Sequence, residues 1–292
     1  MNIYVRKERY KVRNKINFLK EQHIIILSIL IAIVFLVVLN SLGLITILLI
    51  KSKGYLPQLI AECAGIIFSL GIIYLMGINY IFKERSKGIL KGLYIGGFLI
   101  VMSIFAILGN LVNVLNTKKD LQLLPLPQII IFIVTMIAIG VGEEFIFRGI
   151  ILNLFIDKFD KTKKGIYISI ALSSIIFGAA HVTNAFSGIS IKSALIQAGL
   201  VSMLGALLAA IYLRSRNIWV VVIIHAFNDF SALIGSGLFG IGSIVTQVNS
   251  YGYIKLIGLV VYLIPILILL RKKKLSEILE YREFISSQSV NL

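Results

Sequence analysis

Long stretches of this chain carry no charge, and the polar residues arrive in clusters between them. Ile24–Ile50 holds no Asp, Glu, Lys or Arg over 27 residues. Runs of similar character cover 57–82, 89–115, 127–156, 164–182, 194–213, 217–237 and 251–270. At about 1.5 Å per helical residue, each is long enough to cross a hydrocarbon core of roughly 30 Å. The fifth and seventh are short and interrupted by Gly, His or Asp, and Pro265 is expected to kink the eighth. The pattern predicts an all-α fold, a polytopic membrane helix bundle of about eight transmembrane helices. Its organisation is a basic tail (1–23), one transmembrane domain (24–270) and a basic C-terminal tail (271–292). No repeat of fixed period interrupts it. "GSGLFGIGS" (235–243) reads as a loop, since no strand precedes it to make a phosphate cradle.

Composition agrees. Hydrophobic residues make up 58% of the chain and charged residues 14%, against about 25% charged in soluble domains. The net charge of +16 raises nucleic acid as a partner, but the basic residues cluster at the ends of apolar runs, which excludes a phosphate-binding face. The two tails and the second, fourth and sixth loops hold 22 Lys and Arg; the other four loops hold six, and Arg148 completes the 29. This asymmetry predicts a multi-pass protein of the cell membrane with both termini cytoplasmic. The first run is too long for a signal-peptide core and reads as a retained span. "RKKKLSEILEYREF" reads as an amphipathic surface helix with a solvated face. The single cysteine, Cys63, can form neither an intrachain disulfide nor a structural zinc site, and reads as a small buried side chain.

Lysines near the run ends aside, ionisable residues inside the runs are few: Glu62, Glu143, Glu144, Arg148, His181, His225 and Asp229. Such groups are rare in hydrocarbon and usually face the bundle interior. Glu62, and His23 at the mouth of the first run, read as structural or interfacial. Glu144 and Arg148 are spaced i,i+4 and share a helix face, while Glu143 is turned about 100° away. One carboxylate can be neutralised by Arg148 while the other serves a different purpose. "FGAAH" sets Phe177 one turn before His181. "HAFND" spaces His225 and Asp229 i,i+4, so that the acid can orient the ring and fix its tautomer. Measured from the basic helix ends, Glu143, His181 and His225 lie roughly 20, 24 and 12 Å deep, a scatter that helix tilt can close.

A carboxylate and two imidazoles in a water-accessible pocket suit hydrolysis. Glu143 would accept a proton from water, and His181 would hold that water, or both would ligate a divalent metal such as zinc. His225 would stabilise the oxyanion. The same groups suit a proton relay in a transporter. Glu144–Arg148 also reads as a buried structural pair, and His225–Asp229 as a helix-stabilising one.

Three motifs narrow the choice. "EEFIFR" has the form E-E-x-x-x-R, "FGAAH" the form F-x-x-x-H, and "HAFND" the form H-x-x-x-(N or D). In this order, over roughly residues 125–235, the chain resembles the CPBP family of intramembrane proteases. That family includes the type II CAAX prenyl endopeptidases and bacterial Abi proteins linked to bacteriocin self-immunity. The resemblance implies that Glu143 and His181 activate water, that His225 and Asp229 support the tetrahedral intermediate, and that Glu144 and Arg148 hold the site's shape. Both a metalloprotease scheme, with Glu143, His181, His225 and Asp229 as candidate ligands, and a metal-free glutamate scheme are compatible with it. An ionised Asp229 cannot donate to an oxyanion as an asparagine would. It must be protonated, orient His225 or bind metal, and neighbouring Asn228 is turned about 100° from it.

The sequence therefore reads as an intramembrane endopeptidase, acting on a membrane-associated protein or peptide that enters from the cytoplasm or laterally through the bilayer. Two alternatives stand beside it: a catalytically idle immunity or scaffold protein, and a proton-coupled transporter. No inverted repeat supports the transporter. The absence of H-E-x-x-H, G-x-S-G and G-x-G-D removes the zinc site-2, rhomboid-type and presenilin-type schemes.

Overall fold

The apolar runs are helices, and helices are the structure that satisfies every backbone group within one segment in lipid. A computed structural model describes residues 23–50, 54–83, 88–117, 121–159 and 162–289, of which Ile50 and 282–289 are described by their backbone alone. The basic segment 1–22 lies outside the described residues. The helices are α1 (Ile24–Ile50), α2 (Leu56–Met76), α3 (Gly88–Ile95), α4 (Gly97–Thr117), α5 (Leu126–Glu144), α6 (Asn153–Phe159), α7 (Lys163–Ala180), α8 (Ile191–Ser215), α9 (Ile218–Phe239), α10 (Ile244–Asn249), α11 (Ile257–Leu269) and α12 (Lys272–Ser289). Short 3₁₀ turns follow α2, α7 and α10, and a π-helical segment, Phe145–Leu152, joins α5 to α6. No strand occurs among the described residues.

Seven helical stretches are long and apolar enough to cross a membrane, and Leu126–Phe159 is one of them. An eighth arises if Tyr253–Leu269 and Lys272–Tyr281, bent by 62° at the break, count as one span. The third run is interrupted between α3 and α4, where Gly96 separates the two helices; α4 alone supplies the span. Polar side chains start several helices. Thr162 accepts from Gly165 N–H, Ser190 from Ser193, Asn217 from Trp219 and Ser243 from Thr246, and each bond satisfies an otherwise orphaned donor.

The core lies between α5, the π segment and α6 through α9. Phe145 to Ile156 are buried without interruption. The peripheral helices α1, α2 and α4 present exposed apolar side chains such as Leu48, Leu49, Ile67 and Phe105. A surface this apolar suits contact with acyl chains rather than water.

Three expectations are corrected. Residues 235–239 continue α9, so the loop is confined to 240–243. Cys63 is exposed on α2, because the buried face of that helix runs through Pro57, Ala61, Glu62, Gly65 and Ser69. The C-terminal helix is more than a solvated face, since Leu275 and Ile278 are buried in the core. Glu277 anchors it, accepting from Arg214 at 2.9 Å and Lys274 at 2.7 Å, while Arg216 bonds its carbonyl at 3.0 Å.

The hydrogen bonds from Lys274 and Arg214 hold the Glu277 carboxyl down from 4.5 to about 2. A depressed folded value contributes stability that is present above the unfolded value and lost as pH falls through the folded one. We expect α12 to undock as pH falls from 4.5 towards 2, read as faster amide exchange over 272–281 in lipid nanodiscs. Glu277→Gln should flatten that dependence; an unchanged pH profile in the variant would remove Glu277 as its source.

Candidate active site

The E-E-x-x-x-R motif sits where α5 widens into the π segment. Such segments leave backbone carbonyls without their regular partners. Side chains supply them: Ser173 donates to the Phe147 carbonyl at 3.0 Å, and Asn153 donates to those of Arg148 and Gly149 at 3.0 and 3.1 Å. Glu144 and Arg148 face each other across this turn. Arg148 Nη1 donates to Glu144 Oε1 at 2.7 Å, and its Nη2 reaches the Gly205 carbonyl on α8 at 3.1 Å. The guanidinium carbon stands 4.4 Å from the centroid of the Phe177 ring. Both ionic side chains are sealed from solvent, Glu144 at 0% and Arg148 at 1% exposure.

His225 enters from α9. Its Nδ1 lies 2.7 Å from Glu144 Oε1, the oxygen that also receives Arg148. Its Nε2 is 3.6 Å from Glu143 Oε2 and 3.6 Å from Asp229 Oδ2. Those separations exceed a direct hydrogen bond and leave a narrow space between the ring and two carboxylates. Glu143 and Asp229 are partly open, at 15% and 24% exposure, while His225 is buried.

His181 ends α7. Its Nδ1 lies 3.0 Å from the Phe177 carbonyl. A carbonyl only accepts, so this bond puts the proton on Nδ1 and leaves the Nε2 lone pair as the acceptor. The Phe177 ring stands edge-on to both imidazoles, 5.0 Å from His181 and 6.0 Å from His225 between centroids. It is the physical bridge between the second and third motifs. The different depths along the helices thus do not keep the motifs apart.

Glycines let the helices close. At Gly140, one turn before Glu143, an added Cβ would lie 2.9 Å from the Val222 carbonyl, so α5 can approach α9 at the level of the site. At Gly205 a Cβ would meet Phe177 Cδ1 at 2.8 Å and Arg148 Nη2 at 3.2 Å. Gly205→Ala should therefore displace the groups that hold His225, lowering stability by about 1–3 kcal/mol. Gly199→Ala, on the same helix with open space around it, should be neutral or slightly stabilising. Thermal unfolding of the two variants checks this, and equal behaviour would contradict it.

Two features lay beyond the sequence reading. The acid that orients His225 is Glu144, from another helix, rather than Asp229 at i,i+4. Glu62, read as structural or interfacial, is buried on α2, and its Oε2 has no hydrogen-bond partner. That oxygen lies 3.3 Å from where a Gly142 Cβ would be, and Glu62 interacts electrostatically with Glu143, Asp229 and His225. Its position as the one acid of the second apolar run was the available signal.

Among the described residues, no group of three or more His, Cys, Asp or Glu side chains is arranged to hold a metal ion. Glu143, His181, His225 and Asp229, the candidate ligands, are not gathered in that way. The His225 Nδ1 is committed to Glu144 and the His181 Nδ1 to a backbone carbonyl.

Fold and site together define a polytopic α-helical membrane protein with a cluster of acids, an arginine and two imidazoles inside its bundle. Residues 125–231 match the Rce1-like family, described as type II CAAX prenyl endopeptidase Rce1-like. All three motifs lie within the matched segment, and at family level the match supports a membrane protease of the CPBP/CAAX kind. No curated protein and no solved structure matches the chain.

Proposed function

We propose that this protein is an endopeptidase of the cell membrane that hydrolyses a peptide bond in a membrane-associated protein or peptide. Glu143 takes a proton from water as the oxygen attacks the carbonyl carbon, and His181 Nε2 accepts the other hydrogen bond of that water. The carbonyl becomes a tetrahedral oxyanion facing His225 Nε2. Because Nδ1–H is committed to Glu144, donation from Nε2 uses the doubly protonated ring. Glu143 then returns its proton to the departing amine as the C–N bond breaks. Asp229 and Asn228 border the oxyanion position, and Arg148 with Phe177 keeps Glu144 and both rings in register.

One observation carries this reading: His225 is locked through one nitrogen by a buried carboxylate while its other nitrogen faces the two partly open ones. A proton relay does not need that asymmetry, whereas stabilising a developing oxyanion does. The matched family acts as an endopeptidase, and the prenylated substrates in its description are not carried over to this chain.

The test is cleavage by purified protein in lipid vesicles, using a pool of apolar peptides read by mass spectrometry, alongside the Glu143→Gln variant. Products formed by the wild type alone support the proposal. Toxin protection that persists in Glu143→Gln without any cleavage would favour the idle immunity protein, and proton-driven uptake into the vesicles would favour the transporter.

A further inference from the structure

We propose that the site opens toward the extracytoplasmic end of the bundle, so that its substrate is a peptide segment presented at the outer leaflet. Of the two routes expected from the sequence, cytoplasmic or lateral, this leaves only a lateral one, through the outer leaflet. It rests on the hydrolytic reading for what happens at the site, but not for where the site opens.

Along each motif helix the partly open site residue lies on the same side of its buried neighbours. On the α5–π–α6 stretch everything from Phe145 to Ile156 is buried, Glu143 is partly open, and the helix becomes exposed toward Leu126. On α7, Phe177 is buried and His181 half-buried, and the following turn carries Phe186 at 92% exposure. On α9, His225 is buried and Asp229, one turn on, is partly open.

These directions converge on one end of the molecule. Leu124 N–H, just before α5, bonds the Leu238 carbonyl at the end of α9 at 2.7 Å. Asn249, after α9, bonds Gly188 and Ser190 in the turn after α7. The start of α2 joins the same end through Tyr55 and Ser236, at 3.0 Å. The opposite end is closed by α12, with Leu275 and Ile278 buried, Glu277 tied to Arg214 and Arg216, and Tyr167 donating to the Leu270 carbonyl at 2.9 Å.

Charge assigns the two ends. The sequence segments that adjoin the helix termini at the open end hold six Lys and Arg: Lys51, Lys53, Lys118, Lys119, Lys192 and Lys255. The sequence segments that adjoin the helix termini at the closed end hold 22. Basic residues in short loops are retained on the cytoplasmic side, so the closed end is cytoplasmic and the open end is not. The open rim is apolar, with Leu123, Leu126, Phe186 and Ile191 exposed, which suits an apolar peptide lying at the leaflet surface.

Thiol labelling in a Cys63→Ser background tests orientation and opening separately. A membrane-impermeant maleimide should label Ser187→Cys on intact cells, and Lys272→Cys only after permeabilisation. A small impermeant thiosulfonate should reach Asp229→Cys, and Asn184→Cys beside His181 should Asp229→Cys fail to fold, in intact cells. Reversed labelling of Ser187→Cys and Lys272→Cys would overturn the orientation. Site cysteines labelled only in inverted vesicles, or from neither side, would overturn the opening. None of these readouts needs turnover, so a failed cleavage assay leaves them standing, and failed labelling leaves the hydrolytic reading standing.

Discussion

Glu143→Gln should reduce kcat by about 10²–10⁴, the usual contribution of a positioned general base, while leaving the fold intact. The argument rests on how little Glu143 holds in place. Its oxygen approaches His225 Nε2 at 3.6 Å, too far for a hydrogen bond, and its side chain is partly open. Glutamine keeps the shape and removes the ability to take a proton from water. KM should change little, because a base that acts only in the transition state contributes little to substrate binding. Asp229→Asn should be milder, since an amide in that place can donate to the oxyanion that an ionised aspartate cannot. Steady-state kinetics on one reconstituted peptide, with thermal unfolding as a control, decides the matter. Glu143→Gln turning over at the wild-type rate would remove the residue from its role.

Much of this site was legible because ionisable groups in apolar runs are conspicuous. The i,i+4 spacing of Glu144 and Arg148 translated directly into the 2.7 Å ion pair, a relation within one helix that needs no tertiary knowledge. The i,i+4 spacing of His225 and Asp229 was a weaker guide. Backbone period brought them to 3.6 Å, but the hydrogen bond to the ring went to Glu144 on a neighbouring helix. Spacing along one helix cannot reveal a partner contributed by another. The same limit hid Glu62, whose place beside Glu143 depends on how α2 packs on α5. The π segment was also invisible, because its supports, Ser173 and Asn153, are small polar residues with no pattern of their own. Cys63 was misread for a related reason: in lipid an apolar helix can turn residues of its apolar sequence outward, so apolarity alone does not separate core from surface.

Arg148→Met should be the most damaging single change to stability, costing about 3–5 kcal/mol, as expected when one member of a buried ion pair is removed and the other is left charged. Glu144 would remain fully buried with His225 as its one hydrogen-bond partner among the described residues, because its Oε2 already lacks one. Arg148 also holds the Gly205 carbonyl and lies over Phe177, so α8 and the ring between the two histidines would loosen together. Replacing both members, Glu144→Leu with Arg148→Met, should recover most of the stability, since an apolar pair carries no desolvation penalty. It should not recover activity, because His225 Nδ1 would lose the acceptor that fixes its ring. Stability regained without activity in the double variant would assign the pair to holding His225 rather than merely to holding the helices together. A double variant as unstable as Arg148→Met alone would show that the loss comes from the Gly205 and Phe177 contacts instead of the stranded carboxylate.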